Sequence, residues 1–185
     1  MTSKTTDLEI FNKASESLVA QKRKALDEFG TCQFFAVKQE LADNVEFNIT
    51  EAVKPFGLDL ELIKELTEIV ISKIAIEADP EKTLRCAVGW LIDPKVYENR
   101  FEDFSVSSEP ILKAINSAYP NWKINSEQVV MLSTLQRIHD SYEVDDWEKL
   151  FNICRNESFN EDGSYKIDSE DIFYLAYDNE IYTCR

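Results

Sequence analysis

The amino-acid sequence predicts a mostly α-helical fold with at most a small β-hairpin, arranged as a single compact helical domain. Three observations lead to this expectation. The chain has 185 residues, a length that suits one domain and can bury a sizeable core. Its hydrophobic content of 44% is ordinary for a globular protein. Apolar residues also recur at three- and four-residue spacing in several segments that start with typical helix-capping residues.

The N-terminal part of the sequence predicts one helix followed by short extended pieces. Asp7 to Phe29 carries apolar residues at helical spacing, and Gly30 is placed to end the helix. Cys32 to Val37 is short, aromatic and uncharged, which fits either a buried strand or a packed turn. Asp43 to Ile49 alternates like a brief strand, so the two pieces are candidates for a small hairpin.

A long helix is predicted in the middle of the chain. Asp59 to Ala78 has the helical period, and its extra apolar residues Leu60, Ile71 and Ile76 predict packing on two sides. Asp79-Pro80-Glu81 is typical of a new helix start, because it combines an N-cap, a proline at the first helical position and an acid near the positive end of the helix dipole.

Thr83 to Ile92 is one of the longest nearly uncharged stretches of the sequence. We expect it to follow that helix start, to be buried on all sides, and to end at Asp93-Pro94. Gly89 within it indicates that another backbone approaches closely.

The second half of the sequence predicts short helices separated by loops and turns. Tyr97 to Ser108 is expected to be an irregular, aromatic-bearing loop, Gly163 a turn, and Tyr165 to Ile167 a candidate strand. The predicted helix starts are Ser108-Glu109-Pro110, a capping box at Asn125 to Gln128, Asp145 and Ser169.

The sequence divides into a main part and an acidic end. Residues 1–156 are predicted to form one helical domain that includes an inserted helical segment at about 36–82. Residues 157–185 are predicted to be an acidic C-terminal extension packed on that domain.

The formal charge of −15 constrains the binding partners. Asp140 to Arg185 holds thirteen acids against four bases, whereas Met1 to Phe29 is balanced. Such a surface repels nucleic acid and anionic membranes, so the expected partner is a protein with a basic surface. The acids expected to bind it are Asp145, Asp146, Glu148, Glu157, Glu161, Asp162, Glu170 and Asp171.

The cysteine content and the N-terminal residues favour a cytoplasmic protein. Four cysteines are few for this length, and Met1 to Thr6 is polar rather than typical of a signal peptide. The apolar runs are shorter than the roughly 20 residues that span a bilayer. We therefore expect reduced thiols in the cytoplasm, or in the host cytoplasm if the protein is phage-encoded.

Cys86 is a candidate nucleophile, with Arg85 beside it, the single histidine His139 as base and Asp140 to orient that base. Against this, Asp140 adjoins His139 and is expected to point elsewhere on a helix, and Cys86 lies in an apolar run. The favoured interpretation is a buried, unreactive cysteine and a core histidine. Cys32, Cys86 and His139 lack the spacing typical of zinc sites, so no metal and no cofactor is predicted.

Ser158 to Gly163 is similar to the first half of a calcium-binding loop. The twelfth position of that loop would be Ser169 instead of the glutamate that such loops need, so a plain turn is predicted.

Three stretches, in this order, carry a family resemblance: ALDEFGTC (25–32), LRCAVGWLIDPKVYENRFE (84–102) and LQRIHDSYEVDDWEKLFNI (135–153). They resemble a family of small uncharacterised proteins of bacteriophages, prophages and bacteria, with C-A-V-G-x-L-I and L-Q-x-x-H-D motifs. The chain departs from the family by the inserted segment and by the acidic tail after Asn156. The matching positions are Cys32, Cys86 to Gly89, Leu91, Ile92, Tyr97, Glu102, Leu135, Gln136, His139, Asp140 and Trp147.

The resemblance and the acidity together lead to the expected function. We expect a non-enzymatic, phage-type binding protein that inhibits or redirects a host protein, for example a defence nuclease. One alternative is a cysteine-dependent hydrolase or transferase that uses Cys86 and His139. A second is a sponge for a signalling nucleotide, with a basic pocket to which Arg85, Arg100 and Arg137 contribute.

Overall fold

The computed structural model of the protein describes residues 5–26, 31–57, 60–77, 83–166 and 171–183. Within these residues the fold has seven α-helices and one two-stranded antiparallel sheet, which confirms the mostly α-helical prediction. The helices are α1 (Asp7–Gln21), α2 (Gln39–Val53), α3 (Leu60–Glu77), α4 (Glu109–Ala118), α5 (Ser126–Ser141), α6 (Trp147–Glu157) and α7 (Ile172–Asp178); the strands are β1 (Phe35–Val37) and β2 (Thr83–Arg85).

Helix α1 begins at Asp7 as predicted but ends earlier than the predicted Phe29. Lys22 adopts a left-handed conformation with a φ of 54°, which ends the helix after Gln21. The Gln21 side chain then bonds both the N–H and the carbonyl of Arg85, and this holds the end of α1 beside β2. The predicted stop at Gly30 lies outside the described residues.

The small sheet joins different segments from those predicted. Strand β1 pairs with β2, with Phe35 opposite Arg85, and this pairing brings the two ends of the inserted segment together. Asp43 to Ile49 lies inside α2, so the predicted strand there is wrong. Its alternation misled the prediction because the true partner of β1 lies about 50 residues along the chain.

Helix α3 packs through one stripe, so the prediction that it packs on two sides is wrong. Ile63 and Thr67 are buried, whereas Leu60 is 83% exposed and Ile71 is half-buried. Helix α3 packs mainly against α2 and β1, and it also contacts the short 3₁₀ helix at Pro94–Val96. The side chain of Ile76 lies outside the described residues.

The apolar run of residues 83–92 is buried as predicted, with only Trp90 half-buried. It is not a helix, because it consists of β2, a turn and a short 3₁₀ helix at Gly89–Leu91. A Cβ at Gly89 would lie 2.0 Å from the Phe34 carbonyl oxygen, which confirms the predicted close approach of another backbone. The predicted start at Asp79-Pro80-Glu81 lies outside the described residues.

Three predicted helix starts of the C-terminal half are confirmed within two residues, because α4 begins at Glu109, α5 at Ser126 and α6 at Trp147. The predicted start at Ser169 lies outside the described residues. Asn125 and Gln128 form the predicted capping box of α5. Gly163, with a φ of 78°, turns the chain between Phe159 and Tyr165, which form an isolated bridge. Lys166 is not in a strand, and Ile167 lies outside the described residues.

The side chains of the calcium-like stretch serve the turn itself. The Asp162 carboxylate accepts hydrogen bonds from the N–H and the hydroxyl of Ser164, and the Asn160 amide donates to that hydroxyl. Ser158 is buried. These contacts are those of an ordinary turn, and the expectation that no calcium binds there stays a prediction.

A buried carboxylate ties the N-terminal helix to the C-terminal half. Asp7 accepts hydrogen bonds from the Trp122 indole, the Gln128 side chain and the Tyr165 backbone, at 2.7, 2.9 and 2.8 Å. Helix α1 also packs against α5 and α6. The residues around Tyr165 therefore belong to the same core as α1.

Among the described residues, the helices are all too short or too polar to cross a membrane.

Candidate functional site

A cavity of about 280 Å³ opens between the last turns of α5, the ends of the two strands and the segment 102–106. We call it the thiol pocket because two cysteines, Cys32 and Cys86, line it. Its lining residues are Cys32, Phe34, Cys86, Glu102, Phe104, Ser105, Val106, Gln136 and Asp140.

The residues of the thiol pocket described next come from three segments of the chain. Cys32 lies just before β1 and Cys86 directly after β2, so the pairing of the strands brings the two cysteines together. Gln136, His139 and Asp140 lie on α5 at a spacing of three and four residues, which places them on neighbouring turns of one helix.

Hydrogen bonds join the α5 side chains to Cys32. The Gln136 amide donates to the Cys32 sulfur at 2.8 Å and to the Asp140 carboxylate at 2.9 Å. The His139 Nδ1 atom lies 2.8 Å from Asp140 Oδ1 and 3.6 Å from the Cys32 sulfur. The expectation that Asp140 points away from His139 is therefore wrong, because its short side chain turns back toward the ring edge.

The tautomer of His139 follows from its other nitrogen. The N–H of Ala25 donates to Nε2 at 3.2 Å, so Nε2 carries a lone pair and the ring proton of the neutral histidine lies on Nδ1. Nδ1 then donates to Asp140. The ring is fully buried and stacks on Trp147 at 5.3 Å, which confirms the prediction of a core histidine.

This tautomer limits the chemistry of the cluster. A general base or a metal ligand must offer a lone pair, but the nitrogen that faces Cys32 carries the proton. The donor atoms of Cys32, His139 and Asp140 lie within 4.8 Å of one another, as a metal site would require. A metal on Nδ1 would force a proton onto Nε2, against the Ala25 N–H. The residues therefore fit a metal poorly in this arrangement.

The charge state of His139 is linked to the backbone at Ala25. Burial lowers the pKa of His139. The hydrogen bond with Asp140 and the nearby Cys32 sulfur raise it by more than burial lowers it, so the pKa of His139 is raised overall. Charging the ring adds a proton at Nε2, so the Ala25 amide must then find another acceptor.

The two thiols differ in exposure. Cys86 is 1% exposed, and its sulfur accepts the Gly89 N–H at 3.3 Å, whereas Cys32 is half-buried. The pKa of Cys32 is raised, first by a hydrogen bond with the Cys86 sulfur and then by burial. The predicted burial of Cys86 is confirmed, and its lack of reactivity stays a prediction. The sulfur beside His139 belongs to Cys32, not to the predicted Cys86.

A half-buried carboxylate, Glu102, lines the pocket. Glu102 accepts hydrogen bonds from the N–H groups of Phe34 and Phe35 and from the Tyr97 hydroxyl, at 2.6, 3.1 and 2.5 Å. Burial raises the pKa of Glu102. Sequence reasoning assigned no role to this pair, although Tyr97 and Glu102 both belong to the motif that carries the family resemblance.

The three arginines of the predicted nucleotide pocket occupy separate environments. Arg85 is buried between the rings of Phe35 and Trp90. Arg100 pairs with Glu98, and Arg137 donates through one nitrogen, Nη1, to both carboxylate oxygens of Asp171. Their contacts give no support to a shared phosphate-binding pocket.

The predicted partner-binding acids fall into two groups at opposite ends of α6. Asp145 and Glu148 are exposed at its start and Asp146 is half-buried, while Glu157, Glu161 and Asp162 are exposed at its end. The ten residue steps of α6 separate the groups by about 15 Å. Asp171 is held by Arg137, and Glu170 lies outside the described residues.

Helix α7 exposes aromatic rings beside the first acidic group. Tyr174, Tyr177 and Tyr182 are 69%, 68% and 65% exposed, although the opposite side of α7 is buried. Lys149, next to Glu148, donates to the Asn179 carbonyl and thereby joins the start of α6 to the end of α7. We define the C-terminal surface as Asp145, Glu148, Phe173, Tyr174, Tyr177, Asp178, Glu180 and Tyr182.

Comparisons with known proteins found no matching family model, no matching curated protein and no matching solved structure. The resemblance to phage and prophage proteins therefore stays a prediction.

Proposed function

We propose that this protein is a non-enzymatic binding protein that uses the C-terminal surface to hold, and thereby inhibit or redirect, a protein with a basic surface. The observation that carries the proposal is the group of exposed aromatic rings on α7, set among acids.

The aromatic rings supply the affinity. Tyrosine is enriched among the residues that dominate protein interfaces, because it buries a large rigid area at a low cost in side-chain entropy. Tyr177 and Tyr182 already contact each other edge to face at 6.4 Å, so part of the ordering cost is met before binding. Phe173 is half-covered by Arg137, whose guanidinium lies 5.0 Å from its ring.

The acids supply the selection of the partner. Residues 140–185 have a net charge of −9, which raises the encounter rate with a cationic surface and repels nucleic acid. At physiological ionic strength the Debye length is about 8 Å, so only acids near the aromatic rings act strongly on a partner docked there. Asp145 and Glu148 lie at the end of α6 that Lys149 joins to α7, so they meet this condition better than the group about 15 Å farther along α6.

The geometry of the thiol pocket argues against the alternative function, a cysteine-dependent hydrolase. Its base, His139, presents a proton to the thiol instead of a lone pair, because the Ala25 amide fixes the tautomer. The nucleotide sponge is weaker because Arg100 and Arg137 are already paired with carboxylates. A phage origin and a host defence protein as the target are the most specific part of the proposal, and they rest on the sequence resemblance.

The experiment is capture of bacterial lysate proteins on the immobilised chain, followed by mass spectrometry and by calorimetry with the recovered protein. The double substitution Tyr174→Ala and Tyr177→Ala is expected to weaken binding about 100-fold, since each central tyrosine is worth roughly 1–2 kcal/mol. Both side chains point outward, so circular dichroism and thermal stability are expected to remain those of the wild type.

Charge reversal provides a matched pair of variants. Asp145→Lys with Glu148→Lys is expected to slow association about tenfold at physiological salt, while Glu157→Lys with Glu161→Lys changes the net charge equally and has little effect. If the two double variants slowed association equally, the acids would act only through the net charge of the protein and not through their position. Binding unchanged by the tyrosine and by the acid substitutions would contradict the proposal.

A further inference from the structure

We propose that the thiol pocket binds a compact organic ammonium cation, that is, a small primary amine with an apolar body. The inference is independent of the function proposed for the C-terminal surface. It follows from the size of the cavity, the polar atoms on its wall and the aromatic rings beside them.

The size of the pocket limits the ligand to a small molecule. Its volume of about 280 Å³ is that of roughly nine water molecules, at about 30 Å³ each. A ligand of roughly eight non-hydrogen atoms would therefore fill the cavity.

Part of the wall is apolar. Phe34 is buried, Phe104 is 37% exposed and Val106 is half-buried, and all three line the cavity. These side chains fit a hydrocarbon body, and the face of an aromatic ring also attracts a cation that lies within about 6 Å. An ion without an apolar part would gain little from this side of the pocket.

The polar part of the wall is acidic. Two acids, Glu102 and Asp140, are among the described residues that line the pocket, and none of these lining residues is a lysine, an arginine or a histidine. Both oxygens of Glu102 already accept hydrogen bonds, from the Tyr97 hydroxyl and from two backbone N–H groups. Asp140 is therefore the acid that remains for a ligand.

The Asp140 carboxylate has one oxygen to offer. Its side chain is 40% exposed, and Oδ1 lies within hydrogen-bond distance of the Gln136 amide and of His139 Nδ1. Among the described residues, Oδ2 has no partner. The Lys24 ammonium donates to the main-chain carbonyl of Asp140 at 3.3 Å, but Lys24 does not line the pocket.

The wall also has more hydrogen-bond acceptors than donors. The two amide hydrogens of Gln136 are used by Cys32 and Asp140, and the buried Gln136 Oε1 has no partner among the described residues. An ionised carboxylate only accepts hydrogen bonds, whereas an ammonium group has three donors and no acceptor. An ammonium cation therefore matches this wall, while a carboxylate or phosphate ligand would meet like charge.

The probe is benzylammonium, and benzyl alcohol and benzoate serve as neutral and anionic molecules of similar shape. Each is titrated into the full-length chain at pH 7, where the alkylamine is protonated, and two-dimensional amide NMR spectra are recorded. Benzylammonium is expected to bind about tenfold more tightly than benzyl alcohol, because it adds a charge-assisted hydrogen bond, and benzoate is expected not to bind.

The same spectra locate the site. The side-chain amide signals of Gln136 and the backbone signal of Phe104 are expected to shift. The indole signal of Trp122, which bonds Asp7 beside the start of α5, is expected to stay unchanged.

Variants test the role of the carboxylate. Asp140→Asn removes the charge and keeps an acceptor for His139, so the affinity for benzylammonium is expected to fall about tenfold while that for benzyl alcohol is unchanged. Asp103→Asn, which changes an exposed acid outside the pocket lining, is the matched control and is expected to behave like the wild type. Phe104→Ala replaces a partly exposed ring and is expected to weaken both ligands several-fold, which keeps the test open if Asp140→Asn does not fold.

Three results would overturn the proposal. The first is equal affinity of the wild type for benzylammonium and benzyl alcohol. The second is a set of shifts confined to the tyrosines of the C-terminal surface. The third is unchanged affinity for benzylammonium in folded Asp140→Asn, or in Phe104→Ala.

Discussion

Replacement of Asp7 by alanine tests the interaction that joins α1 to the C-terminal half. The carboxylate is almost fully buried and accepts hydrogen bonds from three donors, the Trp122 indole, the Gln128 amide and the Tyr165 backbone N–H. These donors lie far from Asp7 in the sequence, so the Asp7 side chain makes contacts that span most of the chain.

The expected loss follows from the number of donors left without a partner. A buried donor that loses its acceptor costs about 1–3 kcal/mol, and water that enters the space of the lost side chain recovers part of this. We expect Asp7→Ala to lower the free energy of unfolding by about 3–5 kcal/mol, a large share of the total for a domain of this size. Asp7→Asn keeps one acceptor oxygen, so its loss is expected to be roughly half as large.

Urea unfolding followed by far-ultraviolet circular dichroism and by tryptophan fluorescence measures this loss. Glu16→Ala is the matched control, because Glu16 is an exposed acid on the same helix, and its effect is expected to stay within about 0.5 kcal/mol. A loss below about 1 kcal/mol for Asp7→Ala, with an unchanged slope against urea, would refute the reasoning, since the three donors would then not depend on Asp7.

Two further predictions concern the region of the thiol pocket. Gly89→Ala is expected to cost about 3 kcal/mol in urea unfolding, because the new Cβ would overlap the Phe34 carbonyl oxygen; a wild-type stability would contradict the close approach. The raised pKa of Glu102 means that its contribution to stability is lost as pH rises through that pKa. The free energy of unfolding of the wild type minus that of Glu102→Gln should therefore decrease from about pH 4 to pH 7, and an increase would show a lowered pKa instead.

The helices of the C-terminal half could be predicted because their signals are local. The capping box at Asn125 and Gln128 fixes the start of α5 within the sequence itself, and Ser108-Glu109-Pro110 does the same for α4. The buried run at 83–92 was predicted correctly as buried but wrongly as a helix. Short apolar runs have no clear period, and the strand that pairs with β2 lies about 50 residues earlier.

The thiol pocket was predictable only in part, for the same reason. Gln136, His139 and Asp140 are neighbours on α5, so their mutual contacts follow from helical spacing. The contact of His139 with Cys32 spans 107 residues and depends on how the chain leaves α1, which no local pattern reports. The exposed rings of α7 did have a signal, because Phe173 to Tyr182 is dense in aromatic residues for so acidic a segment.

The most direct test of the proposed function is hydroxyl-radical footprinting of the chain alone and in complex with the recovered partner. The account predicts that modification of Tyr174, Tyr177 and Tyr182 falls steeply in the complex, because these exposed rings become buried. Exposed Phe47 and Phe56, on and just after α2, should be modified equally in both states. Protection of Phe47 or Phe56 with the three tyrosines unchanged would contradict the account, because the binding surface would then lie on the inserted segment.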